Sequence, residues 1–125
     1  MTSYEKLDRF YDAAMGDRTA MASYIRRLIR QHKPRARTLL ELACGTGAIL
    51  KILAKSYDVV GLDLSPSMLS IARKKLPQVK FFQRNMVSFD LGKKFDVIIC
   101  VFDSINHVLK FADWQKIFRN AAQHL

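Results

Sequence analysis

Residues 38–47 read Thr38-Leu39-Leu40-Glu41-Leu42-Ala43-Cys44-Gly45-Thr46-Gly47. The apolar run from Leu39 to Ala43 has the hydrophobicity of a parallel strand buried on both faces. It breaks at Gly45-Thr46-Gly47, and Ile49, Ile52 and Leu53 then recur at helical spacing within Ala48 to Lys55. The order is strand, glycine turn, helix. Glycine suits such a turn because it accepts positive φ and lets a ligand approach the backbone. The helix that follows offers free N–H groups to an anionic group. Taken alone, the turn is also compatible with a plain tight connection between a strand and a helix.

The next stretch adds weight. Tyr57 to Leu62 reads as a second apolar strand and ends at Asp63. That acid lies about twenty residues beyond the turn, where a ribose-binding carboxylate is expected. A solvated acid or a helix cap is the alternative. Ser65-Pro66 opens a helix, with Ser65 as N-cap and Pro66 in its first turn.

Upstream, Ser3 to Met15 reads as a helix with Tyr4, Leu7, Phe10, Tyr11 and Ala14 on one side, broken by Gly16-Asp17. A second helix, Thr19 to His32, has Met21, Ala22, Ile25, Leu28 and Ile29 inward and arginines outward. Lys33 to Arg37 leads into the first strand. Downstream come a helix from Pro66 to Leu76, a third strand from Val79 to Gln83 and a turn over Leu91 to Lys94. The fourth strand, Phe95 to Phe102, is almost continuously apolar. The last helix, Ala112 to His124, is expected to pack through Trp114, Ile117, Phe118, Ala121 and Leu125.

Composition sets bounds. The 125 residues suffice for one domain with a core, and half of them are hydrophobic. No charge-free run approaches a membrane span, and the N-terminus lacks an apolar signal-peptide core. Cys44 and Cys100 fit neither a metal spacing nor a disulfide framework. Reduced thiols in a cytoplasmic protein are expected, and no metal site. The formal charge of +10 admits a polyanionic partner. The cations are scattered, however, and the one cluster, Arg26, Arg27, Arg30, Lys33, Arg35 and Arg37, has no interleaved aromatics to stack bases. It reads as a solvated helix face.

The motif Glu41-Leu42-Ala43-Cys44-Gly45-Thr46-Gly47, followed by Val60-Gly61-Leu62-Asp63-Leu64-Ser65-Pro66-Ser67-Met68-Leu69, resembles the class I S-adenosylmethionine-dependent methyltransferases. Phe95-Asp96-Val97-Ile98-Ile99-Cys100-Val101-Phe102-Asp103-Ser104-Ile105-Asn106-His107 resembles the fourth strand of that family and its following loop. The similarity is greatest to bacterial small-molecule methyltransferases, including sugar N-methyltransferases. The resemblance implies an α/β, Rossmann-like, doubly wound parallel sheet of order 3-2-1-4, lacking the later strands of the family. Residues 1–37 would be cap helices and a linker, and 38–125 the cofactor-binding core, together one domain.

S-adenosylmethionine is the implied cofactor. Gly45, Thr46 and Gly47, with Ala43, would shape its loop, and Asp63 would hold the ribose. Leu64 and Met68 would wall the adenine, with Asn85 and Met86 at its rim. Asn85 replaces the acid usual in the family and would accept through its amide oxygen. Glu41 would organise the loop and the methionine end, with Tyr11 and Phe102 as further contacts. Arg18 could pair with the methionine carboxylate. His107, with Asp103 and Asn106, would orient the acceptor or take its proton; a structural histidine is the alternative.

The implied partner is a small-molecule amine or hydroxyl, with no membrane. Enzymes that methylate base amino groups carry prolines after the fourth strand, and none occurs in Phe102 to Asn106, which argues against a nucleic-acid acceptor. A nicotinamide-binding module would prefer glycine at position 50, where this chain has Leu50. A non-catalytic, self-associating domain is the remaining alternative. In a 3-2-1-4 sheet the fourth strand is an edge, an invitation to pairing. A homodimer across that edge is therefore expected.

Overall fold

The computed structural model describes residues 18–101 and 111–125. Its elements are α1 (Thr19–His32), β1 (Thr38–Leu42), α2 (Ala48–Leu53), β2 (Asp58–Asp63), α3 (Pro66–Lys75), β3 (Lys80–Gln83), β4 (Val97–Cys100) and α4 (Phe111–Gln123). The four strands form one parallel sheet in the order β3-β2-β1-β4, as expected from the sequence. Leu40 sits beside Val60 on one side and Ile98 on the other. Among the described residues no helix is long and apolar enough to cross a membrane.

Side-chain alternation along the central strands divides the core. Leu39, Val59 and Phe81 face one way and pack with Ala22, Ile25 and Ile29 of α1, Leu50 and Leu53 of α2, and Leu69 and Ala72 of α3. Leu40, Leu42, Val60 and Leu62 face the other way and pack with Phe89, Phe95 and Ile117. Apolar residues on both faces explain why β1 and β2 read as continuous hydrophobic runs. Gly61 is required by packing. A Cβ there would lie 2.6 Å from Phe81 Cδ1 and 2.8 Å from Cys44 Sγ.

Several expectations change in the structure: Leu28, expected inward on α1, is 37% exposed, whereas Ala22, Ile25 and Ile29 are buried. The fourth strand is shorter than Phe95 to Phe102. The Phe95 N–H donates to the His124 carbonyl at 2.6 Å, so that residue is tied to the end of α4 rather than to the ladder. Asp96 joins strand starts instead. Its carboxylate accepts the Arg37 and Thr38 N–H groups at 2.8 and 3.0 Å, and its own N–H donates to Thr38 Oγ1. These backbone bonds, Arg37 first, hold its carboxyl below the usual value. Their contribution is therefore lost only as pH falls through that lowered range. The helix after the first glycine turn is also shorter than expected, ending at Leu53 rather than Lys55.

The inner face of α4 differs as well. Ile117 and His124 are buried, whereas Phe118 and Leu125 are 62% and 52% exposed. His124 turns inward in place of Leu125 because the Leu91 N–H finds its acceptor there. The Leu91 N–H donates to His124 Nε2 at 3.1 Å, so that nitrogen is unprotonated and Nδ1–H donates to the Asn120 carbonyl at 2.6 Å. Asn120 Nδ2 donates to the Val87 carbonyl. The imidazole also packs on Phe89, with ring centroids 4.5 Å apart.

Candidate cofactor-binding site

A parallel sheet puts the C-terminal ends of all its strands at one end, and order 3-2-1-4 makes β1 the point where the winding reverses. Ligands of such sheets bind in the crevice beyond that point. The loop leaving β1 has three residues at positive φ: Ala43 at 53°, Gly45 at 58° and Gly47 at 80°. The two glycines adopt this without penalty. Ala43 carries a Cβ in the left-handed region, at about 1–2 kcal/mol. Nothing in an alanine signals this strain in advance. The following Cys44 N–H donates to the Leu62 carbonyl at 3.0 Å, and the Gly47 N–H turns back to the Cys44 carbonyl.

Asp63 spans the two central loops. One carboxylate oxygen accepts the Gly45 N–H at 2.8 Å, and the other accepts the Ser65 N–H at 2.9 Å. The acid therefore holds the glycine turn as well as lying at the strand end where a ribose carboxylate is expected. Each oxygen keeps a further lone pair for a hydroxyl. Ser65 caps α3 by accepting the Met68 N–H at 3.3 Å, with Pro66 in the first turn. A Cβ on Gly45 would lie 4.0 Å from Met68 Sδ, which sets Met68 beside the turn. Leu64 is 61% exposed, an apolar side chain facing solvent next to Asp63.

Asn85 and Met86 lie on the segment that follows β3. Asn85 Oδ1 accepts the Val87 N–H at 3.0 Å in a local turn, and its second lone pair is left for a ligand donor. Met86 is half-buried and packs with the Leu40–Phe95 side of the core. Tyr11, Phe102, Asp103, Asn106 and His107 lie outside the described residues.

Under the loop is a buried polar pair. Glu41 is 2% exposed and Arg18, which precedes α1, is 7% exposed. Burial pushes the Glu41 carboxyl well above its ordinary value; the Arg18 charge pulls it back and Asp63 adds to the rise. Glu41 Oε1 is buried without a hydrogen-bond partner among the described residues. Such an acceptor, beside Arg18, fits a ligand end that carries both an amine and a carboxylate. Thr46, 1% exposed, and Gly47 close the loop over the core. Burial pushes the Cys44 thiol far up, with Glu41 and Asp63 adding to the rise, which leaves it an inert neighbour.

The raised Glu41 makes a testable statement about stability. Its folded-state pKa exceeds the unfolded one, so the folded chain keeps a proton that the unfolded chain has lost. Stability from this group then declines as pH rises above the ordinary carboxylate range. Thermal unfolding between about pH 5 and 8 is expected to show that decline, and Glu41→Gln to flatten it. An unchanged slope in the variant would mean that Glu41 is ionised in the fold.

A parallel, doubly wound sheet with a strained glycine loop after β1, tied to an acid after β2, defines a Rossmann-like nucleotide-cofactor domain. The particular family follows from comparison. Residues 39–125 match the family model described as "Methyltransferase domain", and the chain belongs to that family. It is 38% identical over 119 residues to the dTDP-3-amino-3,4,6-trideoxy-alpha-D-glucopyranose N,N-dimethyltransferase of Streptomyces venezuelae, covering 94% of this chain and 50% of that protein. The crystal structure of Streptomyces venezuelae DesVI superposes with a TM-score of 0.90 at 33% identity, covering all of this chain and 54% of that one. SAM-bound CalS10, an amino pentose methyltransferase from Micromonospora echinaspora, gives 0.85 at 33% identity, covering all of this chain and 52% of that one. The chain thus spans about half the length of the relatives it matches.

Proposed function

We propose that this chain supplies the S-adenosylmethionine-binding part of an enzyme that methylates a small-molecule amine or hydroxyl, with an amino sugar as the favoured acceptor. The observation that carries this reading is the Asp63 carboxylate tied to Gly45 beside the buried Glu41–Arg18 pair, within a chain whose relatives include sugar N,N-dimethyltransferases. Asp63 would take the ribose hydroxyls. Leu64 and Met68 would flank the base, while Arg18 and Glu41 would receive the carboxylate and amine of the methionine end. When bound, the cofactor supplies an electrophilic methyl group.

The contribution of these residues is position. Methyl transfer is an in-line displacement and depends on proximity and alignment. The backbone of residues 43–47 is held by hydrogen bonds to Asp63 and Leu62 and by the Gly47 N–H donating to the Cys44 carbonyl. A fixed loop sets the height of the ligand above β1. His107 would orient the acceptor or take its proton, and the two reduced cysteines fit a cytoplasmic setting.

Calorimetry on the folded 125-residue chain tests the reading. S-adenosylmethionine or S-adenosylhomocysteine is expected to bind, and NAD to give no signal. Turnover of amino-sugar acceptors by this polypeptide alone is expected to be poor, because residues matching the second half of the relatives would supply much of the acceptor pocket. NAD binding without an adenosylmethionine signal would overturn the assignment. No binding of either would favour a non-catalytic domain.

A further inference from the structure

We infer that Asp63 and the loop it holds decide which nucleotide cofactor enters the crevice: they shut out a diphosphate and admit a nucleoside that carries a neutral or cationic substituent. This rests on the cofactor-binding reading of the crevice and adds the group that sets its selectivity. Where a Rossmann-like sheet binds a dinucleotide, backbone N–H groups of the glycine loop and helix start donate to the pyrophosphate. In this chain three of the loop donors are turned inward. The Cys44 N–H goes to the Leu62 carbonyl at 3.0 Å, and the Gly47 N–H to the Cys44 carbonyl at 3.1 Å. The Gly45 N–H goes to Asp63 Oδ2 at 2.8 Å. A carboxylate of the protein itself thus sits on a donor that an incoming phosphate oxygen would use.

Gly47 points the same way. A Cβ there would lie 3.5 Å from Ala72 Cβ and from Leu76 Cδ1, and 3.6 Å from Phe81 Cζ. Its bare face is therefore turned to the core, where it lets the loop pack on α3 and β3. In a dinucleotide site a glycine of this loop serves instead to let the pyrophosphate approach. The helix that follows is weak bait for an anion as well. α2 is only six residues long, so few peptide dipoles add at its start.

Charge adds to geometry. Asp63 lies close enough to Glu41 for its charge to push the Glu41 carboxyl up, and Arg18 is already set against Glu41. A diphosphate would bring further negative charge to this acidic pair, whereas a sulfonium is attracted by it. The crevice thus selects against diphosphates although the chain as a whole carries +10.

Calorimetry on the 125-residue chain with adenosine, adenosine diphosphate and S-adenosylhomocysteine provides the test. Salt at about 0.3 M screens the general attraction of a basic chain for anions. Adenosine and S-adenosylhomocysteine are expected to bind, and the diphosphate roughly tenfold or more weakly than adenosine, a comparison that requires no substitution. Asp63→Asn should weaken adenosine yet bring the ratio of the two affinities roughly threefold or more closer to one, with an unchanged circular dichroism spectrum. Asp58→Asn removes an exposed acid at the start of β2 and should leave the ratio alone. Equal affinity of the wild type for adenosine and its diphosphate, with S-adenosylhomocysteine bound, would overturn this inference and leave the cofactor reading standing. So would a ratio that Asp63→Asn leaves unmoved in a folded variant, or that Asp58→Asn moves as far. Silence of both adenosine and S-adenosylhomocysteine would overturn the cofactor reading itself, and this inference with it.

Discussion

Replacing Asp63 with alanine is expected to lower affinity for S-adenosylmethionine on the order of a hundredfold, from two lost hydrogen bonds to a charged acceptor at roughly 1.5–3 kcal/mol each, discounted for partial exposure. The effect has two sources in the structure. One is direct, through the lone pairs that remain for ribose hydroxyls. The other is the turn itself, since Asp63 accepts both the Gly45 and the Ser65 N–H groups. Asp63→Asn separates them. It keeps one acceptor oxygen but sets an amide donor against one of the two N–H groups, so it should fall between wild type and alanine. Calorimetry gives the affinities, and far-ultraviolet circular dichroism should stay unchanged. Wild-type affinity in the alanine variant would confine Asp63 to holding the turn.

A large loss of stability is expected from His124→Ala. The substitution leaves the half-buried Leu91 N–H without its acceptor, toward the low end of about 1–3 kcal/mol. It also removes the ring that packs on Phe89, leaving a cavity. A total near 3 kcal/mol would lower Tm by roughly 10–15 °C. His124→Gln should recover part of this, because its amide oxygen can accept from Leu91. Differential scanning calorimetry would check both. Equal stability of His124→Ala and wild type would show that α4 is held by Ile117 and the Asn120–Val87 bond alone.

His124 also marks where the sequence is a poor guide. The helical spacing of Trp114, Ile117 and Ala121 is visible, but spacing cannot say whether Phe118 or His124 completes the buried face. The decision rests with Leu91, whose N–H requires an acceptor inside the fold and lies more than thirty residues away. The local bond of Asn85 to the Val87 N–H is likewise absent from any periodicity.

The sequence by itself determined the sheet and its central turn. Apolar runs buried on both faces, glycines where φ is positive and a serine–proline helix start are local signals, and they place β1, β2, α3 and Asp63 correctly. Tertiary structure alone decided the rest. β4 is shortened because the Phe95 N–H is drawn to the His124 carbonyl, and Asp96 is a clasp because the starts of β1 and β4 lie side by side. Ala43 accepts a strained φ because Cys44 and Asp63 hold the loop on both sides. Glu41 is neutral-leaning because burial between β2 and β4 outweighs the opposing charge of Arg18. Each of these depends on a partner brought close only by folding, and no periodicity along the chain records it.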